Sequence, residues 1–293
     1  MEKVVVIGGS GFLGSYVVDE LTSRGYNVTV FDQIPSTRQP HNHEMILGDM
    51  LDVHALTNAV QGARYVYHFG GIADISEAKK NPFKTIETNI IGVATVLEAC
   101  KSANVRRILY ASTMYVYSPY GSFYRATKQA AETLIEAYTE QFCLDHTLLR
   151  FGSLYGPKAQ EWNGLRQYVS QVIREGQLVY EGTGRERREY IHVRDAARLS
   201  VEVLGDEHRN RAVTLTGTQV LNSRELAEMI FEIAGVDTNI TFTGNDRDGE
   251  HYSMTPYRYS PKSAKKLVPF EFVDLGEGIL EILEEIHEEL DQK

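Results

Sequence analysis

Tyr124 and Lys128 are the residues of this sequence best suited to moving a proton at a substrate hydroxyl. Their four-residue spacing places the phenol and the ammonium on one face of a helix. A free tyrosine titrates at about pH 10, and a neighbouring cation favours the phenolate, which can act as a base near neutrality. Ser112 and Thr113 precede Tyr124 at the end of a predicted strand, and either hydroxyl could bind the same substrate oxygen. The set predicts general base catalysis on an alcohol.

A glycine-rich turn follows the first predicted strand, at 3–7, and opens a helix predicted over 12–23. The turn fits GxGxxG from Gly9 or GxxGxxG from Gly8, and both patterns end at Gly14. Small residues let the backbone approach a pyrophosphate, while the helix N-terminus supplies N–H donors and a positive dipole. A dinucleotide is therefore predicted to contact Gly8, Gly11, Phe12, Leu13 and Gly14.

Asp32 ends the second predicted strand, eighteen residues after Gly14. A carboxylate at this point can bind ribose hydroxyls and repels a 2′-phosphate, so NAD is favoured over NADP as the cofactor. We expect Asp49 to accept a hydrogen bond from the adenine amino group, with Met50 beside it as a further cofactor contact. Asp52 is predicted instead to cap the next helix.

Short apolar runs alternate with longer helical patterns, which predicts an α/β fold: a doubly wound, parallel Rossmann sheet with helices on both faces. We expect strands at 3–7, 27–31, 65–68, 107–111 and 146–151, with helices at 12–23, 82–102 and 123–142. The alternation loosens after residue 152. We therefore predict an NAD-binding domain over 1–152, to which the chain returns at about 187–205. A smaller C-terminal α/β substrate-binding lobe would comprise 153–186 and 206–293.

The formal net charge of −10 and the scattered basic residues argue against nucleic acid or an anionic membrane as a partner. No apolar stretch approaches the roughly 18 residues that a membrane span needs, and no export signal opens the chain. The two cysteines lie in apolar helical patterns, which favours free thiols over a disulfide or a metal pair. We expect a soluble, cytoplasmic protein without a metal site.

The chain resembles the extended short-chain dehydrogenase/reductases and, among them, the nucleotide-sugar epimerases and dehydratases. The resemblance covers nearly the whole length. The segments that carry it are Gly8-x-x-Gly11-x-x-Gly14, Asp32, Gly48-Asp49, His68–Gly71, Asn89–Gly92, Ser112-Thr113, Tyr124-x-x-x-Lys128, Leu149–Pro157 and Arg188–Asp195.

The resemblance implies a role for each matching position around the reacting atoms. Tyr124 would be the general base, Thr113 the catalytic hydroxyl that also contacts substrate, and Lys128 the residue that holds the nicotinamide ribose. Tyr124 and Lys128 would thus contact the cofactor as well. Further cofactor contacts are implied at Phe69, Gly70, Gly71 and Asn89.

The same resemblance implies a nucleoside-diphosphate sugar as the substrate. Ser153 stands where relatives often carry an asparagine that touches the sugar diphosphate. Arg188 and Arg247 would bind phosphate, which suits the planar fork of an arginine, and Glu250 would meet the nucleoside ribose.

Two departures from the family bear on the reaction. Met114 and Tyr115 stand where the 4,6-dehydratases carry an Asp-Glu pair, which argues against dehydration. Only ten residues separate Thr113 from Tyr124, whereas many relatives have a much longer loop there that closes over the hexose. The shortened loop implies a more open or differently shaped sugar pocket.

The resemblance therefore favours a 4-epimerase that works through a transient 4-keto sugar. A nucleotide-sugar 4-dehydrogenase or reductase, with net hydride transfer, would use the same residues. A non-catalytic, NAD-binding regulatory relative is less favoured because Thr113, Tyr124 and Lys128 are all present. Relatives pair through the helices that here span about 82–102 and 123–142, which implies a homodimer.

Overall fold

The strands of the computed structural model, which describes residues 1–36, 43–244, 251, 253–256 and 265–291, are numbered along the chain. They are β1 (Lys3–Ile7), β2 (Asn27–Asp32), β3 (Glu44–Leu47), β4 (Tyr65–His68), β5 (Arg107–Thr113), β6 (Asp145–Phe151), β7 (Ser153–Tyr155), β8 (Leu178–Tyr180), β9 (Arg187–His192), β10 (Arg211–Leu215), β11 (Val220–Asn222), β12 (Ile240–Phe242) and β13 (Lys265–Leu267).

The α-helices lie between these strands for most of the chain. They are α1 (Phe12–Ser23), α2 (Val53–Val60), α3 (Ile75–Lys80), α4 (Pro82–Ile86), α5 (Gly92–Ser102), α6 (Ser122–Phe142), α7 (Gly164–Glu175), α8 (Val193–Glu202), α9 (Ser223–Ala234) and α10 (Leu275–Asp291).

The large sheet has eight parallel strands in the order β13-β10-β6-β5-β4-β1-β2-β3. Its strands are short apolar runs, such as Val4–Ile7, that are buried because helices cover both faces. Helices α1 and α8 pack together on one face, and α2 and α5 pack on the other. The predicted Rossmann fold is confirmed. Its strand order reverses between β1 and β4, and at such a point ligands bind beyond the carboxyl ends of the strands.

The smaller lobe has an apolar core of its own between α7, α9 and α10. A three-stranded sheet, β11-β9-β7, and a two-stranded sheet, β12-β8, complete it. The helix cap that the sequence assigns to Asp52 is confirmed. The Asp52 carboxylate accepts hydrogen bonds from the backbone N–H groups of His54 and Ala55, and Asn222 forms a capping box with Glu225.

The structure differs from the expectations at two places. The helix expected over 82–102 is interrupted by a π-helical turn, Glu87–Ile91, which places Asn89 toward the sheet edge. The large sheet also gains β3, where no strand was predicted, and β10 and β13, which the sequence placed in the lobe at 206–293. The buried side chains of Val213 and Leu215 extend the apolar sheet core, and β10 pairs directly with β6. In the described part of the chain, none of the helices combines the length and apolarity that crossing a bilayer requires.

Candidate active site

The glycine turn after β1 is shaped by close backbone approaches. Gly8 has a φ of +78°, and a Cβ there would lie 2.5 Å from the amide nitrogen of Gly70. A Cβ on Gly14 would lie 2.1 Å from the carbonyl oxygen of Gly8, and one on Gly9 would lie 2.9 Å from Val30 Cγ1. Gly8 is the turn's glycine with positive φ, which favours the GxxGxxG alignment.

The N-terminus of α1 leaves its backbone donors open to a ligand. Gly11 occupies the cap position, no side chain caps the helix, and its first turn carries no acidic residue. Phe12 and Leu13 are buried, so this turn offers a ligand backbone N–H groups rather than side chains. Together with the side-chain-free cradle at Gly8, this arrangement fits the pyrophosphate of a dinucleotide.

Asp32 lies beside the same turn. One oxygen of its carboxylate accepts a hydrogen bond from the backbone N–H of Ser10 at 3.0 Å, and the side chain is half-buried at the end of β2. The carboxylate therefore lies at the rim of the glycine cradle, where the dinucleotide's ribose would meet it. This geometry fits the NAD preference that the sequence predicts.

Asp49 and Met50 follow β3 at the same edge of the sheet. The Asp49 carboxylate accepts a hydrogen bond from the backbone N–H of Leu51 at 2.9 Å, which fixes the turn. The thioether of Met50 packs against two glycines: a Cβ on Gly70 would lie 3.1 Å from its Sδ, and one on Gly92 would lie 3.0 Å from its Cε. Contacts of either residue with adenine stay predictions.

Asn89 links the segment after β4 to α6, the helix that carries Tyr124 and Lys128. Its amide oxygen accepts from the backbone N–H of Ile72 at 2.8 Å, and its amide nitrogen donates to the carbonyl of Ile72 at 2.9 Å and to the hydroxyl of Thr127 at 3.1 Å. Residues 69–71 are held in this way close to α6. The Asn89 amide thus positions the segment predicted to line the cofactor, and its own cofactor contact stays a prediction.

Lys128 lies under Tyr124 on α6, as the spacing predicts. Its Nζ donates to the carbonyl of Ala111 at 2.8 Å, lies 4.7 Å from the centre of the Tyr110 ring and 5.9 Å from the centre of the Tyr124 ring. Burial lowers the pKa of this ammonium from 10.5 to about 8, while the charge of Glu132 acts in the opposite direction. A half-buried phenol therefore stands over a buried cation.

The two candidate hydroxyls before Tyr124 are separated by their environments. Ser112 donates to the Glu132 carboxylate at 2.6 Å inside the protein. The Thr113 hydroxyl, at the start of a 3₁₀ turn over Met114–Tyr117, accepts from the backbone N–H of Tyr115 at 3.3 Å. Because Ser112 is committed to a buried network, Thr113 is the better candidate for contact with substrate.

That buried network is a feature that sequence reasoning missed. Glu132 and Arg150 form a two-point ion pair with N–O distances of 2.9 and 2.7 Å, and both side chains are almost fully buried. Arg150 also donates to the hydroxyl of Tyr117. An arginine within an apolar strand pattern, and a glutamate one helical turn after Lys128, were the available signals. The network fixes β5, β6 and α6 to one another directly beneath the site.

His68 ends β4 as a fully buried, uncharged ring. Burial and the charge of Lys128 lower its pKa to about 3. Neither ring nitrogen has a hydrogen-bond partner among the described residues, and the ring packs against Tyr110 at 5.6 Å between centres. A neutral imidazole next to Lys128 adds no second positive charge to the site.

Two residues predicted to contact the sugar diphosphate, Ser153 and Arg188, lie on the three-stranded sheet. Ser153 on β7 pairs with Tyr190 on β9, which places Ser153 and Arg188 on neighbouring strands. Arg188 is half-buried and lies opposite Leu221 on β11. Arg247 and Glu250, the other predicted substrate contacts, lie outside the described residues.

A second pair that the sequence did not reveal lies beside Tyr124. The hydroxyl of Tyr115 is hydrogen-bonded to Nδ1 of His251 at 2.5 Å. The Tyr115 ring meets the Tyr124 ring edge-on, with 6.1 Å between centres. The two members are 136 residues apart, so no local spacing could have linked them.

Comparison with known proteins places the chain in a family. A profile described as the NAD-dependent epimerase/dehydratase family matches residues 4–215. UDP-glucuronic acid decarboxylase 4 of Arabidopsis thaliana is 29% identical over 277 residues, which cover 85% of this chain and 61% of that protein. A UDP-N-acetyl-alpha-D-glucosaminuronate decarboxylase of Bacillus cytotoxicus is 23% identical over 267 residues, with 82% of each chain covered. The chain spans about three fifths of the length of the plant relatives that it matches.

Solved structures share the fold at lower identity. A UDP-glucose 4-epimerase of Thermotoga maritima, determined with UDP-glucose, superposes with a TM-score of 0.83 at 22% identity, covering 98% of this chain and 99% of that one. MoeE5 in complex with UDP-glucuronic acid and NAD gives 0.82 at 22% identity with the same coverage. With a family profile over most of its length, this chain belongs to the NAD-dependent epimerase/dehydratase family.

Proposed function

We propose that the protein is a nucleoside-diphosphate-sugar 4-epimerase that works through a transient 4-keto sugar. The observation that carries this proposal is that the buried Lys128 ammonium lies 5.9 Å from the centre of the Tyr124 ring while it donates to the carbonyl of Ala111 in β5. Bound NAD would supply the hydride acceptor and donor. The proposal requires NAD to stay bound through the cycle, because the overall reaction has no net redox change.

Tyr124, Lys128 and Thr113 have different roles in the proposed proton transfer. Tyr124 as phenolate removes the proton from the sugar's O4 while the C4–H bond breaks, and it returns the proton when the hydride comes back. The Lys128 ammonium stabilises the phenolate, and Thr113 donates a hydrogen bond to the same sugar oxygen. Lys128 must be charged to do this, so its lowered pKa sets an upper pH limit for the reaction.

Inversion at C4 requires a sugar that can turn over while its diphosphate stays in place. We assign the anchoring to Arg188 and Ser153 on the small sheet, together with Arg247 and Glu250. An arginine meets a diphosphate with two parallel N–H donors, which holds the group without covering the hexose. The short connection between Thr113 and Tyr124 leaves more space over the sugar than a long loop would.

A second candidate reaction is favoured by the names of similar proteins. The matched plant and Bacillus proteins are decarboxylases of UDP-linked uronic acids. Oxidation at C4 of such a sugar makes its C6 carboxylate a β-keto acid, which loses CO2 and takes a proton at C5 before the hydride returns.

A 4-dehydrogenase or reductase would use the same residues but release the reduced cofactor. A regulatory NAD-binding protein would not need Tyr124.

We also propose that the protein is a homodimer. Phe83, Ile86 and Ile91 are exposed on the stretch from α4 to α5, and Phe123 and Phe142 are exposed at the two ends of α6. Apolar side chains grouped on adjacent helices favour association. Light scattering on the unaltered protein and on Phe83→Glu would test this: the variant should be monomeric.

A cytoplasmic location belongs to the same proposal and suits the two free cysteines, Cys100 and Cys143.

A panel of nucleotide sugars tests the proposed reaction. The purified protein is incubated with UDP- and dTDP-linked hexoses and uronic acids, while absorbance near 340 nm, CO2 release and product stereochemistry are followed. An epimerase interconverts a C4 pair with no steady-state change in absorbance. Stoichiometric NADH would identify a dehydrogenase, CO2 would identify a decarboxylase, and no turnover with any sugar would contradict enzymatic function.

A further inference from the structure

Tyr115 and His251 form a phenol–imidazole pair next to Tyr124 that the steps above do not use. Tyr115 is 9% exposed on the 3₁₀ turn that directly follows Thr113. His251 is half-buried and comes from the far end of the chain. Their hydrogen bond measures 2.5 Å, and their rings meet edge-on with 6.1 Å between centres.

The short connection between Thr113 and Tyr124 holds Tyr115 rigidly. Its ring lies directly against Gly121, where a Cβ would come within 2.6 Å of Tyr115 Cδ1, and Gly121 has a φ of +97°. Arg125 donates to the carbonyl of Ser118 at 3.1 Å, and Gln129 donates to the carbonyl of Val116 at 2.9 Å. Helix α6 therefore holds the C-terminal half of the turn that carries Tyr115.

The segment next to His251 is fixed to the strand that carries Arg188. The backbone N–H of Arg187 donates to the carbonyl of Ser253 at 2.7 Å, and the N–H of Thr255 donates back to Arg187 at 3.2 Å. The N–H of Glu189 donates to the hydroxyl of Thr255 at 3.1 Å. The pair thus joins the end of β5, where the reaction occurs, to the sheet predicted to hold the diphosphate.

A sugar bound at Tyr124 would present its neighbouring substituents to this pair. The rings of Tyr115 and Tyr124 are in contact, so groups on the carbons that flank C4 come within reach when O4 meets the Tyr124 hydroxyl. A phenol has one donor and two acceptor positions, so the Tyr115 hydroxyl can take part in more than one hydrogen bond. The pair can therefore bond a sugar hydroxyl or carboxylate while its internal hydrogen bond is kept.

We propose that Tyr115 and His251 act as a specificity-determining pair that hydrogen-bonds a substituent on a carbon adjacent to C4. This inference rests on the proposed C4 chemistry and deepens it. A site that bonds a polar group of the substrate discriminates against a substrate that lacks the group, because the hydrogen bond to the substrate is then not formed. The pair would set which sugars the enzyme accepts, while Tyr124 would set what happens at C4.

The inference is tested by combining variants of the pair with sugars that lack a substituent next to C4. kcat/KM is measured for Tyr115→Phe and His251→Asn in the NAD-loaded protein, with the best UDP-hexose of the panel, the matching UDP-pentose, which lacks C6, and the 3-deoxy sugar. Tyr120→Phe, an exposed tyrosine in the same connection, is the control. Matched unfolding midpoints show that the variants fold.

The expected result is a loss of about tenfold or more on the full hexose and a change of less than about threefold on one truncated sugar. Equal losses on all three sugars would mean that the pair only holds the fold, and no loss on any would mean that it touches no substrate. Either result overturns the inference. If the unaltered protein turns over no sugar, the proposed function fails. In that case the pair is tested separately: the dissociation constants of the three sugars are measured by calorimetry for the unaltered protein and for the variants, and the same pattern of losses is expected.

Discussion

The cofactor side and the sugar side of the site are built in different ways. The glycine cradle, the open α1 N-terminus and the Asp32 carboxylate come from two adjacent strands and the turn between them. The proposed sugar side combines the 3₁₀ turn after β5, strands β7 and β9, and His251. The first is mostly backbone shape, and the second is mostly side chains from distant segments.

The difference predicts that the two halves respond differently to substitution. A backbone cradle for pyrophosphate tolerates few substitutions, since a single Cβ fills it. A sugar pocket assembled from side chains can change its specificity by changing one residue. Tyr124 and Lys128 lie where the two halves meet, and variants can be used to separate the contributions.

Replacing the residue at that junction should have the largest effect. Tyr124→Phe keeps the ring and removes the base, so kcat should fall by about 10²–10⁴-fold. The dissociation constant for NAD should change far less than kcat, because the glycine cradle is untouched. Assays of product formation with the best sugar of the panel measure kcat, and calorimetry measures the dissociation constant for NAD. Full activity in Tyr124→Phe would contradict the catalytic assignment.

A substitution in the cradle should affect the cofactor first. Gly14→Ala places a Cβ 2.1 Å from the Gly8 carbonyl oxygen, so NAD binding should weaken by about tenfold or more. Gly164→Ala is the matched control, because the nearest atom to its Cβ would be 3.8 Å away. Calorimetric titration with NAD measures both. If the two variants bind NAD equally well, the turn is not the cofactor site.

A substitution on the sugar side should leave NAD binding intact. Arg188→Met removes a charged donor from the proposed diphosphate contact, so KM for the nucleotide sugar should rise by about 10–100-fold. Arg187→Met, on the same strand with an exposed side chain, should change KM by less than about threefold. An unchanged KM in Arg188→Met would remove this residue from the substrate site.

The smallest expected effect is a pH-dependent change in stability at Lys128. Its pKa is lowered by burial to about 8 in the folded protein, whereas the unfolded chain keeps the ordinary value of 10.5. Between these values the unfolded state binds more protons, so the free energy of unfolding rises with pH, by about 1 kcal/mol per pH unit. Relative to Lys128→Met, the unaltered protein should therefore gain stability from pH 8 to 10.

Urea unfolding of both proteins at pH 7, 8, 9 and 10 measures this difference. The activity of the unaltered protein should fall over the same range, because the neutral amine no longer stabilises the phenolate. A constant difference in unfolding free energy across the range would mean that Lys128 has an ordinary pKa in the folded state.

The sequence predicts much of this fold because its strands are apolar and its turns are marked. Helix α1 and strands β1 and β4 begin and end where the patterns predict. The π-helical turn at Glu87–Ile91 was missed because it keeps the polar and apolar pattern of a helix. Strand β13 was missed because Lys265 and Lys266 make it polar, and it lies at the open edge of the sheet.

The candidate site also contains residues that the sequence predicts and residues that it does not. The glycine turn, Asp32, Tyr124 and Lys128 have local spacing and could be read directly. The Glu132–Arg150 ion pair and the Tyr115–His251 hydrogen bond could not, because they link residues 18 and 136 positions apart. Their partners are set by the packing of whole elements, which no single segment encodes.

The most direct test of the central claim is the fate of the C4 hydrogen. A nucleotide sugar that is turned over is prepared with deuterium at C4, and the product and the cofactor are analysed by mass spectrometry and NMR. The account predicts that deuterium stays at C4 of a product with inverted configuration, with no steady-state accumulation of reduced cofactor. Deuterium released on free NADH, or a product with unlabelled C4, would contradict it.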